Sequence, residues 1–202
     1  MIRTDRHPQG RRTRTRSAWR RLAFAIVLVC VCFGSALGPV YARAAEQRAE
    51  LVKAAFLYHF VEFVDWPDSV ARDGDPVRVG ILGDDPFGPL LDEVFASPDG
   101  SGRRFEITRA DDPDALAGCR MVFLGLDDDD TMRSALDALG AHPVLTVAHR
   151  SGFADHGGHI NFFVEDERLR FEVNLDAAQA AGLRLSSRLL KLARIVIPAA
   201  SR

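Results

Sequence analysis

Four short stretches, rich in apolar and β-branched residues, recur along the chain: Pro76-Val-Arg-Val-Gly-Ile-Leu82, Arg104-Phe-Glu-Ile-Thr108, Arg120-Met-Val-Phe-Leu-Gly125 and Pro143-Val-Leu-Thr-Val147. Segments of helical pattern separate them. Strands that alternate with helices imply a mostly parallel sheet, because a parallel connection needs a crossover long enough to hold a helix. The crossovers read as a helix over Pro86 to Phe95, a short helical turn over Asp111 to Leu116, and a helix over Thr131 to Leu139. Asp84 or Asp85 caps the first, with Pro86 at its first helical position, and Asp130 caps the third. Beyond residue 160 the pattern changes. Ile160-Asn-Phe-Phe-Val164 and Leu169-Arg-Phe-Glu-Val-Asn-Leu175 read as a hairpin turning at Glu165-Asp-Glu-Arg168, and strict alternation in the second strand predicts one wet face. A short Ala-rich helix capped by Asp176 follows, then a last helix over Arg188 to Val196 capped by Ser186 or Ser187. The expected fold is α/β: a three-layer sandwich with a mostly parallel sheet, helices on both faces and an antiparallel hairpin at the edge.

The first 44 residues do not join that pattern. Residues 1–21 hold eight arginines against one aspartate, and an uncharged apolar run from Leu22 to Leu37 follows. Val40-Tyr-Ala42 and Ala42-Arg-Ala44 then supply small-residue sites. A basic head, a short apolar stretch and an Ala-x-Ala site are the parts of a secretory signal peptide. Cleavage is expected after Ala44, with Ala42 second; an uncleaved membrane anchor is the alternative, since the apolar run falls just short of the ~20 residues that span a bilayer. Leu22-Ala-Phe24 continues a twin-arginine motif poorly, and neither Cys30 nor Cys32 is preceded by the small residue that lipid attachment wants. Residues 45–202 form the expected single domain, working in the periplasm, away from ATP, NAD and intracellular nucleic acid. That body carries 17 basic against 27 acidic residues, which repel a phosphate backbone. It keeps Cys119 alone, so no internal disulfide is available, and burial is the expected fate of that thiol.

Ala45 to Trp66 reads as a helix with a narrow polar stripe, His59, Glu62 and Asp65, on an otherwise apolar cylinder. Such a helix is sandwiched in a core or covered by a partner.

The chemical motifs are weak. Gly83-Asp-Asp-Pro-Phe-Gly88 lacks phosphate-loop spacing, and its carboxylates oppose an anion. Asp127-Asp-Asp-Asp130 lacks the alternating ligands of a calcium loop and suits a helix N-terminus instead. His149, Asp155, His156 and His159 have metal-ligand chemistry, yet His156-Gly-Gly-His159 matches no standard zinc spacing and reads as a glycine turn. No serine sits in G-x-S-x-G. We expect no catalytic residue, cofactor or metal site.

Lys53-Ala-Ala-Phe-Leu-Tyr-His-Phe-Val-Glu-Phe-Val-Asp-Trp-Pro67, Val79-Gly-Ile-Leu-Gly-Asp-Asp-Pro-Phe-Gly88, Val144-Leu-Thr-Val147, Phe153-Ala-Asp-His-Gly-Gly-His-Ile160, Arg170-Phe-Glu-Val-Asn174 and Gly182-Leu-Arg-Leu-Ser-Ser-Arg-Leu-Leu-Lys-Leu-Ala193 resemble, in this order, the YfiR family of exported bacterial proteins. The resemblance spans nearly all of residues 45–202. It implies a periplasmic α/β protein without catalysis, which binds the periplasmic sensory domain of an inner-membrane diguanylate cyclase and holds it inactive, lowering cyclic di-GMP and biofilm formation. An outer-membrane lipoprotein and a second copy of the chain are further implied partners. Some members pair a cysteine on the first strand with one before the third; here Gly80 stands at the former place and Cys119 at the latter, so redox control through that bridge is not expected. The expected contact residues are Phe56, Phe60, Phe63 and Trp66 on the opening helix, and Phe153, His156 and His159 in the glycine loop. Aromatics at helical spacing fit a core equally well. The rival function is a periplasmic small-ligand sensor with a crevice at the carboxyl ends of the strands, and a third is a hydrolase whose residues gather only in the fold.

Overall fold

The computed structural model of the protein describes residues 46–68, 70, 74–96 and 103–196. The expected leader, residues 1–44, and its expected cleavage site lie outside the described residues. In chain order the elements are α1 (46–63), β1 (Val64–Asp65), β2 (Val77–Gly83), α2 (Pro89–Ala96), β3 (Phe105–Ala110), a 3-10 turn (Pro113–Leu116), β4 (Met121–Gly125), α3 (Asp129–Gly140), β5 (Leu145–Ala148), β6 (Ile160–Glu165), β7 (Arg168–Asn174), α4 (Leu175–Ala180), β8 (Arg184–Leu185), α5 (Ser187–Leu190) and β9 (Arg194–Val196). Among the described residues no helix is long and apolar enough to cross a membrane.

Seven strands form a sheet in the order β3-β2-β4-β5-β6-β7-β9. Every neighbouring pair is parallel except β6 and β7. β1 and β8 pair antiparallel as a separate two-stranded ribbon. Alternation along the strands sorts side chains into two cores. Val79, Ile81, Phe123, Val147, Phe162 and Val173 face α1, α2, α4 and α5, which bury Phe60, Leu91, Ala178 and Leu189 against them. On the other side Leu82, Val122, Leu124 and Ala148 meet Met132, Ala135 and Leu139 of α3, Leu116 of the 3-10 turn, and Phe153 of the loop before β6. The expected three-layer α/β sandwich is therefore the fold.

Several boundaries differ for local physical reasons. α2 begins at Pro89 rather than Pro86, because Asp85 Oδ1 accepts the amides of Phe87 (2.8 Å) and Gly88 (3.0 Å) and closes a turn first. The other oxygen of Asp85 takes Arg109 Nε at 2.7 Å, and Arg109 also reaches Asp92, so the acidic loop ties β3 to α2. α3 is capped by Asp128, not Asp130: its carboxylate accepts Thr131 N at 2.8 Å, which holds its pKa down. Asn174, not Asp176, caps α4, and Leu175 is helical rather than the end of a strand. The last helix stops after one turn, and residues 194–196 become β9. That short strand lies outside the hairpin, so the hairpin is next to the edge rather than at it. The wet face expected of β7 is correspondingly interrupted. Arg168 and Arg170 are exposed, but Glu172 and Asn174 are buried, Glu172 between Asn161 Nδ2 (2.9 Å) and the guanidinium of Arg194.

Candidate interaction surface

α1 packs on one face of the sheet. Its middle is packed by rings: Phe60 lies 5.2 Å from Phe171 and 5.7 Å from Phe162, and Phe56 lies 5.5 Å from Phe171. Tyr58 turns the other way, to Phe95 and Phe105. Offset and edge-on aromatic pairs add about 1 kcal/mol each to the burial of their area, so this cluster is the fastening of α1 to the sheet. Trp66, beyond the helix, is buried and donates from Nε1 to the carbonyl of Arg120 at 3.0 Å. Phe60 and Trp66, expected as contact residues, are core; Phe56 and Phe63 are half-buried.

The glycine loop, residues 149–159, lies on the opposite layer. Phe153 is buried there, over Gly158, where a Cβ would stand 2.2 Å from the ring; only glycine fits. Asn174 Nδ2 donates to the carbonyl of Ala154 at 2.7 Å, and Arg150 N donates to Asn161 Oδ1 at 2.9 Å. His159 is buried as well. Its Nδ1 accepts Thr146 N (3.1 Å), its own amide donates to Thr146 Oγ1 (3.1 Å), and its ring bonds the backbone of Val144. Burial pushes its pKa down to about 4, so it is a neutral tie between β5 and β6 rather than a ligand or a contact. His156 is exposed, with Nδ1 donating to the carbonyl of Gly152 at 2.7 Å, and Ser151 and Asp155 are exposed beside it. Of the seven expected contact residues, His156 is the exposed one. The seven do not form one patch, since α1 and the loop cover opposite faces of the sheet.

A different surface on α1 escaped the sequence reading. Arg48, Leu51, Val52, His59 and Glu62 are exposed, with Ala55 and Phe63 half-buried between them. Leu51 and Val52 keep 45% and 40% of their surface, high for branched aliphatics. The full helical period from Arg48 to Phe63 would have exposed this stripe; looking for polar residues and aromatics found His59, Glu62 and Phe63 and missed Arg48, Leu51, Val52 and Ala55.

The small-ligand reading requires a crevice at the carboxyl ends of the strands, where the crossovers leaving the neighbours β2 and β4 go to opposite faces of the sheet. Here Gly83 and Gly125 close it with backbone. Asp84 N donates to the carbonyl of Gly125 at 2.9 Å, and a Cβ on Gly125 would stand 2.0 Å from the carbonyl oxygen of Asp84. A cleft of about 540 Å³ does exist, but between α2 and the edge strand β3, lined by Asp92, Phe95, Arg104, Phe105, Glu106 and others. Among the described residues no three His, Cys, Asp or Glu side chains converge as metal ligands. Cys119 is free and buried, and burial pushes its thiol pKa up to about 11, which makes it a poor nucleophile. Gly80, the position of the missing cysteine partner, packs against Leu116.

A family of YfiR/HmsC-like proteins matches residues 50–194, from the fifth residue of α1 to the first residue of β9. The chain belongs to that family. YfiR/HmsC-like proteins are periplasmic and regulatory rather than catalytic, and membership supports a general part in cyclic di-GMP signalling. Among solved structures, the chain is similar to the ABC domain in complex with L-Trp from Streptococcus pneumonia, with 12% identity and a TM-score of 0.44 over 60% of this chain and 55% of that one. It is also similar to a conserved domain protein from Vibrio cholerae, with 13% identity and a TM-score of 0.45 over 75% of this chain and 59% of that one. The chain thus spans less than two thirds of either.

Proposed function

We propose that this YfiR/HmsC-like protein is exported by its cleaved leader and, as a non-catalytic repressor, binds the periplasmic domain of an inner-membrane diguanylate cyclase and holds it inactive. The family match over residues 50–194 carries the reading. Repression of this kind is a population shift: the regulator must bind the inactive conformer about 10⁴-fold more tightly than the active one to move the balance from 1:99 to 99:1. The contact we assign is the loop carrying Ser151, Asp155 and His156. Phe153, Gly158 and Asn174 hold it in one shape, so little ordering entropy is lost on binding. Deleting the gene should raise cyclic di-GMP and biofilm formation, and Asp155→Arg with His156→Glu should do the same without lowering the melting temperature. An unchanged cyclic di-GMP level in the deletion strain, with the cyclase present, would overturn the reading. If deletion raises it and the loop variant does not, the contact lies elsewhere.

The alternative is a periplasmic small-ligand sensor, favoured by the cleft between α2 and β3, whose size and mixed lining fall within the range of ligand pockets. A thermal shift with a metabolite panel, abolished by Phe95→Trp, would support it.

A further inference from the structure

The seven-stranded sheet has two edges, and they are not alike. β9 is three residues long, while β3 keeps six residues in unbroken parallel register with β2, from Phe105 opposite Val77 to Ala110 opposite Leu82. Natural proteins blunt an edge with lysine, proline, a bulge or shortness, and Phe105-Glu-Ile-Thr-Arg-Ala110 has none of these. The direction of its backbone groups is fixed by one bond. Val77 N donates to the carbonyl of Arg104 at 2.8 Å, so Glu106, Thr108 and Ala110 turn their backbone groups toward β2, and Phe105, Ile107 and Arg109 turn theirs outward. Among the described residues no group bonds these outward N–H and C=O groups.

The same three residues direct their side chains to the α2 face, where Phe105 and Ile107 pack against the core and Arg109 reaches Asp92. The cleft of about 540 Å³ opens on that side, with Phe95, Phe105 and Ile107 in its lining. Edge and cleft are therefore one feature. A chain paired with β3 would place every second side chain in the cleft, which is how an added strand is recognised.

We propose that the β3 edge takes an extended segment of another protein, paired antiparallel to β3, with two apolar side chains in the cleft and an acidic one at its Arg103–Arg104 end. Charge decides the chemistry of that segment. In a body with 17 basic against 27 acidic residues, two successive arginines make a local basic end. The carboxylates of the lining are already engaged, Asp92 by Arg109 at 2.7 Å and Glu106 by Arg78 at 3.7 Å, whereas Arg104 donates to the neutral carbonyl of Gly74. Antiparallel pairing is the more stable per residue, and it brings the carboxyl-terminal end of the segment to these arginines. The side chains opposite Ile107 and Phe105 share the cleft, and the next on that face falls at Arg103, which gives the pattern apolar-x-apolar-x-acidic. The site goes beyond the repressor reading and is independent of it, because the loop carrying His156 is on the opposite layer. It also gives the cleft to a peptide rather than to a metabolite.

The test uses acetylated, amidated hexapeptides Thr-X-Thr-X-Thr-Glu, with Val, Ile, Leu or Phe at each X, titrated calorimetrically into the exported protein. The best of them should bind saturably below about 1 mM. N-methylation at either X, whose N–H faces β3, should weaken binding about tenfold or more, while N-methylation of the threonine between them should not. Amide exchange followed by NMR should slow at Phe105, Ile107 and Arg109 when the peptide binds, and Glu106, Thr108 and Ala110 should be protected with or without it. Arg104→Glu should weaken the peptide ending in Glu about tenfold and tighten the one ending in Lys. As Arg104 is exposed, its replacement should leave the melting temperature unchanged. The proposal is overturned if no peptide binds up to about 1 mM, or if binding is indifferent to which amide is methylated. Slow exchange at the three outward amides in the protein alone would overturn it too, since the edge would then be covered already. A metabolite that fills the cleft while no peptide slows those amides returns the cleft to the small-ligand reading. None of these results alters the effect of gene deletion on cyclic di-GMP, so failure here is distinct from failure of the repressor reading.

Discussion

Gly125 and His159 show how much one residue decides. At Gly125 the end of β4 passes so close to Asp84 that any side chain collides with a carbonyl oxygen at 2.0 Å. Backbone cannot swing aside as a flexible side chain would, so Gly125→Ala should cost about 3 kcal/mol or more in a urea titration, while Gly140→Ala, with open space around its Cβ, should cost nothing. His159 makes stability depend on pH. Its folded pKa, about 4, lies below the 6.5 of an unhindered imidazole. As pH falls below 6.5 the unfolded chain takes up the proton while the folded one cannot, so this contribution is complete above 6.5 and drains away toward pH 4. The loss is about 3 kcal/mol across that window. His159→Gln should flatten the pH profile between 4 and 6.5; a profile unchanged from the native protein would show that another group governs it.

At the scale of elements, the β6–β7 hairpin carries a local strain that can be relieved. Its two turn residues, Asp166 and Glu167, both have positive φ, 50° and 58°. This is the turn that matches strand twist, and it favours Asn-Gly because other residues crowd their own carbonyls. Asp166→Asn with Glu167→Gly should therefore raise stability by about 1 kcal/mol, seen as a rise of several degrees in melting temperature. Neither side chain makes a contact that the change would lose, as both point into solvent. The neighbouring β9 is held differently. Arg194 pairs with Glu172 and lies 3.9 Å over the Phe163 ring, which ties three residues of strand to an otherwise finished sheet.

For the whole molecule, the division between an arginine-rich leader and an acidic body predicts an exported chain beginning at Ala45. N-terminal sequencing of periplasmic protein should find it, and Met1 on that protein would contradict it. With Cys119 free and buried, the mature protein should melt at the same temperature with and without reductant and resist alkylation at neutral pH. Gly83 and Gly125 close the strand ends with backbone where many parallel-sheet proteins open a crevice; among the described residues the loop at His156, the stripe at Arg48 to Phe63 and the cleft between α2 and β3 are open to solvent.

The order of elements from β2 to α4 was legible in the sequence, because each follows from a period of two or 3.6 within a short window, as Val77 to Gly83 and Asp129 to Gly140 illustrate, whereas the two- and three-residue strands β1, β8 and β9 are too short to show a period. The caps of α3 and α4 were legible only to within two residues, since Asp128 and Asn174 compete with equally good neighbours and are chosen by where the chain must turn. Three-dimensional packing alone decided that Phe60, Phe153 and His159 are interior, that Glu172 is buried in a strand with a polar pattern, and that Leu51 and Val52 are not. Periodicity tells which residues share a face; whether that face meets protein or water depends on contacts between segments far apart in the chain.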